Sequence, residues 1–265
     1  MDLKLAGKRA LISGSTAGIG RAIAAALIRE GVQVIINGRR QADVDQVAAE
    51  LRDSQGSQSQ VQGFAADLSL PEGAEALHKQ FPDIDILVNN LGIFEPAAFE
   101  DISDADWQRF FNVNVLSGIR LARLYLPVMR RNNWGRIIFI SSESAVQIPS
   151  EMIQYGMTKT AQLAVARGLA ESVSGTNITV NSILPGPTKS RGVGDFVESL
   201  AASGGKSFAD VEREFFVTMR PTSLLKRFST PDEIASMVTY IASPLASATT
   251  GAALRVDGGV IRSIL

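Results

Sequence analysis

Short runs of Val, Ile and Leu recur along the chain, and each is followed by a Gly, Ser or Asn and then by a longer segment with helical spacing. The runs are apolar at successive rather than alternate positions, which is typical of strands buried on both faces of a parallel sheet. They predict strands over residues 9–13, 32–37, 61–66, 84–89, 136–141, 178–183 and 253–257.

The segments between these runs predict helices. Residues 19–29 keep an apolar stripe that ends before Gly31, and residues 42–52 carry apolar positions four apart. Ser69-Leu70-Pro71-Glu72 has the pattern of a capping box, so we expect Ser69 to cap the next helix. Regular alternation of strand and helix predicts a single α/β domain over residues 1–265, a Rossmann-type, doubly wound parallel sheet of about seven strands with helices on both faces.

Residues 186–228 depart from this alternation. Gly192, Gly194, Gly204 and Gly205 lie there among short amphipathic pieces that contain several phenylalanines. The segment follows the end of a strand, where ligands enter open α/β sheets, so we predict a substrate lid. The alternative is an ordinary pair of helices that fills one end of the domain.

Composition narrows the possible partners. The 265 residues hold 26 Lys and Arg against 27 Asp and Glu, so we expect neither a nucleic acid nor a membrane as partner. The absence of Cys and the single His exclude thiolate chemistry and leave few metal ligands, so we expect no metal site. The first residues lack the pattern of a signal peptide and no apolar run reaches membrane-spanning length, so we expect a cytoplasmic protein.

A Gly-rich turn stands between the first predicted strand and the first predicted helix. Gly14 permits a tight turn, Gly18 lets the backbone approach a pyrophosphate, and Gly20 lets the helix pack close to the sheet. The helix N-terminus attracts the anion, whereas a purely structural turn is the alternative. The other residues of the turn that we expect to bind a dinucleotide are Ser15, Thr16 and Ile19.

A second group of residues has the chemistry of a proton-transfer site. Tyr155 and Lys159 are four apart in a helical segment and therefore share one face. Ser142 follows the fifth predicted strand, and Asn114 lies between the fourth and fifth. Because ligands of open α/β sheets bind at the carboxyl ends of the strands, we expect these residues to form a catalytic site near the Gly-rich turn.

Together these motifs resemble the classical short-chain dehydrogenase/reductase family over essentially the whole chain. The chain departs from the family at Leu91, where Ala is usual, and the bulkier side chain could reshape the wall near the nicotinamide. The matching features are the Gly-rich turn, Asp67, Asn89-Asn90-Leu91-Gly92, Asn114, Ser142, Tyr155 with Lys159, Pro185-Gly186 and Val256-Asp257-Gly258-Gly259.

The resemblance implies hydride transfer between a nicotinamide cofactor and a carbonyl or alcohol. It implies that Tyr155 donates and accepts the proton, and that Ser142 hydrogen-bonds to the substrate oxygen. It also implies that Asn114 holds a water that relays protons to Lys159. Lys159 would also bind the nicotinamide ribose, and its charge roughly 4 Å away would lower the pKa of the phenol by on the order of 3 units. Further cofactor contacts are implied at Asp67 (to the adenine amine), Leu68, Asn90 (bracing the backbone), Gly92, Pro185, Gly186 and Thr188.

The end of the second predicted strand bears on the choice of cofactor. A carboxylate there would accept from the ribose 2′-hydroxyl of NAD, but the chain has Asn37, Gly38 and then Arg39. A guanidinium suits a 2′-phosphate through charge-assisted hydrogen bonds, so we predict NADP(H) in preference to NAD(H), with Asn37 and Arg39 at this end of the cofactor. A solvated Arg at a strand end is the alternative.

We therefore predict an NADP(H)-dependent carbonyl reductase or alcohol dehydrogenase. An apolar ketone or a 3-oxoacyl thioester is the candidate substrate, with walls at Ile93, Phe94, Met152 and Leu184. Three alternatives stay open: an NAD-dependent alcohol dehydrogenase, an epimerase or dehydratase of the extended relatives, and a non-catalytic nucleotide-binding scaffold. The extended relatives need a larger C-terminal domain than this chain provides.

Small residues form one face of the helix that carries Tyr155. Ala161, Ala164 and Gly168 lie there beside Val165 and Leu169. Close packing in the core would explain this face, but the resemblance implies that such helices build the interface of a homodimer or homotetramer.

Overall fold

The computed structural model describes residues 2–55, 60–189 and 207–264. Its centre is a sheet of seven parallel strands in the order β3-β2-β1-β4-β5-β6-β7. The Rossmann-type fold that the sequence predicts is confirmed. The strands are β1 Arg9–Ile12, β2 Gln33–Gly38, β3 Val61–Ala65, β4 Ile86–Asn89, β5 Gly135–Ile140, β6 Ile178–Pro185 and β7 Ala253–Val256.

Helices cover both faces of this sheet. The described helices are α1 Gly18–Arg29, α2 Gln41–Gln55, α3 Pro71–Gln80, α4 Asp104–Phe111, α5 Ser117–Arg131, α6 Ile153–Ser172, α7 Phe208–Thr218 and α8 Pro231–Ala242. A π-helical turn, Asn112–Leu116, joins α4 to α5. Helices α1, α2 and α8 share one apolar core with the sheet, and α3, α5 and α6 share the other. Within the described ranges, no helix has both the length and the apolar character to cross a membrane.

The order of the strands locates the ligand crevice. Chain connections run outward from β1 on one side and from β4 on the other, so the direction of winding reverses between these two strands. Loops at the carboxyl ends of β1 and β4 therefore separate and leave a crevice, which is where open α/β sheets bind ligands. Every residue of β4, β5 and β6 is buried, including Arg136 in β5 and Asn181 in β6, so both faces of these central strands are covered.

The predicted capping box at Ser69 is wrong. Helix α3 begins at Pro71, and its N-cap, Leu70, makes no side-chain cap. The Ser69 hydroxyl donates instead to Asp67 Oδ1 at 2.6 Å. A carboxylate two residues earlier competes successfully for this hydroxyl, because Ser side chains readily form such local turns.

Part of the predicted lid, residues 190–206 with Gly192, Gly194, Gly204 and Gly205, lies outside the described residues. The described part holds α7, whose phenylalanines join one from the following loop in a small apolar cluster apart from the two main cores. These are Phe208, Phe215, Phe216 and Phe228. The lid itself stays a prediction.

Candidate active site

The Gly-rich turn brings β1, α1 and the end of β4 into close contact. Gly14 and Gly18 have φ values of 61° and 55°, which favour glycine. A Cβ on Gly20 would lie 2.5 Å from Asn90 Nδ2 and 2.6 Å from Gly14 O. Ala17, the N-cap of α1, supplies no side-chain acceptor, so the first N–H groups of this helix are not capped by its side chain. This backbone fits a pyrophosphate.

Several predicted cofactor residues direct their side chains into the protein. The Ser15 hydroxyl donates to Ile12 O at 2.8 Å and accepts from Asn37 N at 2.9 Å. The Asn37 amide donates to Phe64 O at 3.0 Å and accepts from Gly14 N at 3.3 Å. Both side chains are buried and hold the turn against β2 and β3, so they can approach a cofactor only through the backbone around them.

Asn90 braces the turn from the other side. Its Nδ2 donates to Ser13 O at 3.0 Å and to Gly14 O at 2.9 Å. Leu91 packs beside this brace, with Cδ1 3.5 Å from the place a Cβ on Gly14 would occupy, and it contacts the core shared by α3, α5 and α6. The bulk of Leu91 is therefore accommodated against Gly14 and this core.

Two arginines, Arg39 and Arg40, follow β2, and of these only Arg39 has no partner among the described residues. A Cβ on Gly38 would lie 2.5 Å from Thr16 Cγ2, so a larger residue at this position would displace the Thr16 side chain. Arg40 is held by Asp43 through two hydrogen bonds of 2.7 and 2.8 Å. Arg39 is exposed, and the described part of the chain offers it no hydrogen bond or ion pair.

Asp67 lies at the carboxyl end of β3. Its Oδ1 accepts from the backbone and the hydroxyl of Ser69, at 2.9 and 2.6 Å. Among the described residues Oδ2 has no partner and can accept from an amine. The neighbouring Leu68 is buried in the core, so only its backbone can face the crevice.

The predicted catalytic residues meet at the same edge of the sheet. Ser142 follows β5, and it hydrogen-bonds with the Tyr155 hydroxyl from α6. One turn further along α6, Lys159 Nζ lies 5.5 Å from the centre of the Tyr155 ring. It donates to Ile140 O at 2.9 Å and to Gln162 Oε1 at 3.3 Å.

Burial dominates the proton affinities of this group. It raises the pKa of Tyr155 above the ordinary value. Three smaller effects act on the same pKa: the hydrogen bond with Ser142 lowers it, the charge of Glu143 raises it, and the charge of Arg220 lowers it. Burial lowers the pKa of Lys159 to about 7. Near neutral pH Lys159 can therefore hold or release a proton, which suits a group that resupplies another acid.

Asn114 occupies the π-helical turn, and its side chain and backbone make four hydrogen bonds. Its amide donates to Ile93 O at 3.0 Å and to Thr158 Oγ1 at 2.9 Å, and its Oδ1 accepts from Ile93 N at 2.8 Å. Its backbone oxygen accepts from Gln162 Nε2 at 2.5 Å. Gln162 also accepts from Lys159 Nζ through its Oε1, so its side chain links Asn114 to Lys159. The water that the resemblance assigns to Asn114 stays a prediction.

The carboxyl end of β6 closes the crevice. A Cβ on Gly186 would lie 2.5 Å from Asp257 O, so this backbone lies against the residue that follows β7. The buried Thr188 hydroxyl donates to Gly186 O at 2.8 Å. Across the crevice, a Cβ on Gly92 would lie 3.4 Å from Lys159 Nζ.

The predicted substrate walls are only partly placed as expected. The Phe94 ring meets the Tyr155 ring edge-on, at a centroid distance of 6.2 Å, and is 45% exposed. Met152 is half-buried just before α6. Leu184, in contrast, is buried within β6 and cannot line an open pocket, because both faces of this strand are covered.

The sequence as a whole matches known proteins. A family model described as enoyl-(acyl carrier protein) reductase covers residues 14–261. An uncharacterized oxidoreductase of Bacillus subtilis (strain 168), YvaG, is 49% identical over the full length of both chains. Dehydrogenase/reductase SDR family member 4 of Caenorhabditis elegans is 35% identical, with 96% of this chain and 95% of that protein covered. The chain belongs to the classical short-chain dehydrogenase/reductase family.

The solved structures agree with this assignment. The L-sorbose reductase of Gluconobacter frateurii, determined with NADPH and L-sorbose, is 31% identical, covers both chains completely and has a TM-score of 0.93. As a short-chain dehydrogenase/reductase, the protein is an oxidoreductase that transfers a hydride between a nicotinamide cofactor and a carbonyl or alcohol.

Proposed function

We propose that this short-chain dehydrogenase/reductase is an NADPH-dependent reductase of uncharged ketones. The observation that carries the proposal is the meeting of Ser142, Tyr155 and Lys159 at the sheet edge that also holds the Gly-rich turn. An acid, a hydrogen-bond donor and a cation are what the reduction of a carbonyl requires from the protein.

The geometry of the crevice supports a set of proposed cofactor-binding residues. The N-terminus of α1 with Gly18 would hold the pyrophosphate, Asp67 Oδ2 the adenine amine, and Lys159 the nicotinamide ribose. Arg39 would hold the 2′-phosphate, and Gly38 supports NADP(H) because it offers no carboxylate to the ribose 2′-hydroxyl of NAD. The sorbose reductase solved with NADPH supports the same choice.

Bound NADPH supplies the hydride. Tyr155 donates its phenolic proton to the substrate oxygen as negative charge develops there. Ser142 donates a hydrogen bond to the same oxygen and stabilises that charge. Lys159, whose lowered pKa lies near neutrality, then returns a proton to Tyr155, and Gln162 and Ile140 O hold the ammonium in place.

The charges around the site favour a substrate without a carboxylate or phosphate. Glu143 and Glu151 outnumber Arg220, the cation that they bind, and Lys159 is buried. Phe94, which faces Tyr155, offers apolar surface instead. Arg220 is already paired with two carboxylates and offers no free charge to an anionic substrate, so we extend the predicted apolar ketone to uncharged ketones in general.

The proposal is tested by following NADPH and NADH oxidation with four substrates: a neutral alkyl ketone, a ketose, a 3-oxoacyl thioester and a 2-oxo acid. We expect turnover of at least one neutral ketone with NADPH, and a markedly lower kcat/KM for the 2-oxo acid. Equal use of both cofactors would contradict the NADPH assignment. A clear preference for the 2-oxo acid would contradict the uncharged substrate.

We also propose that α5 and α6 form a homo-oligomer interface. Ala164 and Gly168 are exposed, which excludes packing in the core as the reason for the small residues. They adjoin an apolar groove of about 580 Å³, whose lining includes Leu126 of α5 and Val165 and Leu169 of α6. A second copy of the chain is the partner that the family resemblance implies.

Gly168→Glu is expected to convert this oligomer into a monomer. A Cβ at Gly168 has no neighbour within 4 Å, so one chain tolerates the substitution, whereas a charge facing a second copy of this apolar surface does not. Light scattering on wild type, Gly168→Ala and Gly168→Glu measures the mass. If Gly168→Glu has the same oligomeric mass as Gly168→Ala, this face is not the interface.

A further inference from the structure

A buried carboxylate stands directly beside the serine of the site. Glu143 is 4% exposed, and its Oε2 accepts from Ser142 Oγ at 2.5 Å. The same oxygen accepts from Ser144 N at 2.7 Å and from Ser144 Oγ at 2.9 Å. The Ser142 proton therefore points at Glu143 and is occupied by that hydrogen bond.

An arginine from a distant part of the chain balances this charge. Arg220 lies two residues after α7 and is 8% exposed. Its Nε donates to Glu143 Oε1 at 2.9 Å, and its Nη1 donates to Glu151 Oε1 at 3.2 Å. Well-packed apolar residues generally stabilise a fold as well as a buried ion pair does, so stability alone gives little reason for charges here.

Both charges act on Tyr155, with opposite signs. Glu143 disfavours the phenolate and Arg220 favours it. Among the described residues, Ser142, from the same loop as Glu143, also acts on this phenol, and Lys159, from its own helix α6, lies beside the ring. The proton affinity of Tyr155 therefore depends on whether this pair is intact.

We propose that Glu143 and Arg220 are a positioning pair for the reaction, in which Glu143 orients the Ser142 hydroxyl while Arg220 fixes Glu143 and neutralises it beside Tyr155. The inference rests on the proposed role of Tyr155 as the acid.

When a ketone binds, the Ser142 hydroxyl turns from Glu143 toward the substrate oxygen. Glu143 Oε2 then keeps both donors from Ser144, and Oε1 keeps Arg220. The carboxylate thus stays satisfied after it gives up one hydrogen bond, so the rotation of Ser142 leaves no buried charge without a partner.

The pair is tested by the pH dependence of kcat/KM for alcohol oxidation, which rises with pH as Tyr155 loses its proton. Glu143→Gln removes the negative charge, so the rise is expected at a pH lower by about one unit. Arg220→Gln leaves Glu143 unbalanced and is expected to move the rise in the opposite direction. Arg220→Lys keeps the charge and should stay close to wild type.

The matched control is Arg227→Gln, which breaks the exposed ion pair of Arg227 with Glu233 in the same segment and should leave the profile unchanged. Thermal unfolding and NADPH fluorescence verify that each variant folds. If Arg220→Gln does not fold, the pH shift of Glu143→Gln and the pH profile of Arg220→Lys still test the proposed role of the pair.

Unchanged pH profiles in these variants would contradict the proposed role of the pair. Shifts of the same sign in Glu143→Gln and Arg220→Gln would contradict it as well. Tyr155→Phe is measured in the same series. If it abolishes turnover while the pair variants keep the wild-type profile, only this inference fails. If it remains active, the proposed acid itself is wrong.

Discussion

Replacing Tyr155 by Phe is expected to lower kcat by on the order of 10³-fold or more while NADPH binding stays close to wild type. The substitution removes the phenolic proton and keeps the ring, which packs edge-on against Phe94. The remaining hydrogen bond from Ser142 cannot supply a proton to the alkoxide. Steady-state NADPH oxidation measures the loss of turnover, and fluorescence titration measures binding.

Tyr240→Phe is the matched control, because Tyr240 lies on α8 and is 40% exposed. It makes the same chemical change outside the site and should leave kcat unchanged. A Tyr155→Phe enzyme within about tenfold of wild type, a barrier change of only ~1.4 kcal/mol, would show that another group supplies the proton.

Replacing Arg39 by Asp is expected to lower the ratio of kcat/KM for NADPH to that for NADH by about 100-fold. Each charge-assisted hydrogen bond contributes about 1.5–3 kcal/mol, and the new carboxylate would also repel a phosphate. NADH has no phosphate at this position, so its own kcat/KM should change little. Initial rates with both cofactors measure the ratio.

The control for this experiment is Arg40→Asp, which changes the charge by the same amount at the adjacent residue. Arg40 is already held by Asp43, so we expect a much smaller effect on the ratio. If both variants lower the ratio equally, the effect comes from the general field and not from a contact made by Arg39.

The sequence was sufficient for the fold because the parallel sheet follows from local patterns. Runs rich in Val, Ile and Leu mark the strands, and the longer segments of helical spacing between them mark the helices. The proximity of Ser142 to Tyr155 was also predictable. Ser142 follows a strand and Tyr155 lies in the first turn of the next α-helix, so both belong to the edge where the carboxyl ends of the parallel strands lie. The prediction of the capping box was wrong because the Ser69 hydroxyl donates to the carboxylate of Asp67.

The sequence could not reveal partners that tertiary structure brings together. Glu143 and Arg220 are 77 positions apart, and neither residue indicates the other in the sequence. A signal for Gln162 did exist: it is a polar residue three positions after Lys159 and on the buried side of α6. Sequence reasoning also treated Lys159 as a full cation acting on Tyr155, because desolvation is not visible before the packing is known.

The π-helical turn between α4 and α5 fixes the number of residues in this part of the chain. Ser117 N donates to Asn112 O, five residues back instead of four, so the turn holds one residue more than a regular α-helix would. Deleting a residue here would restore ordinary helical hydrogen bonds but rotate one flank by about 100° relative to the other. Either Asn114 would lose its hydrogen bonds with Ile93, or the buried residues of α5 would no longer face the sheet. A change of length in this turn would therefore disturb either the site or the core, even if every side chain were kept.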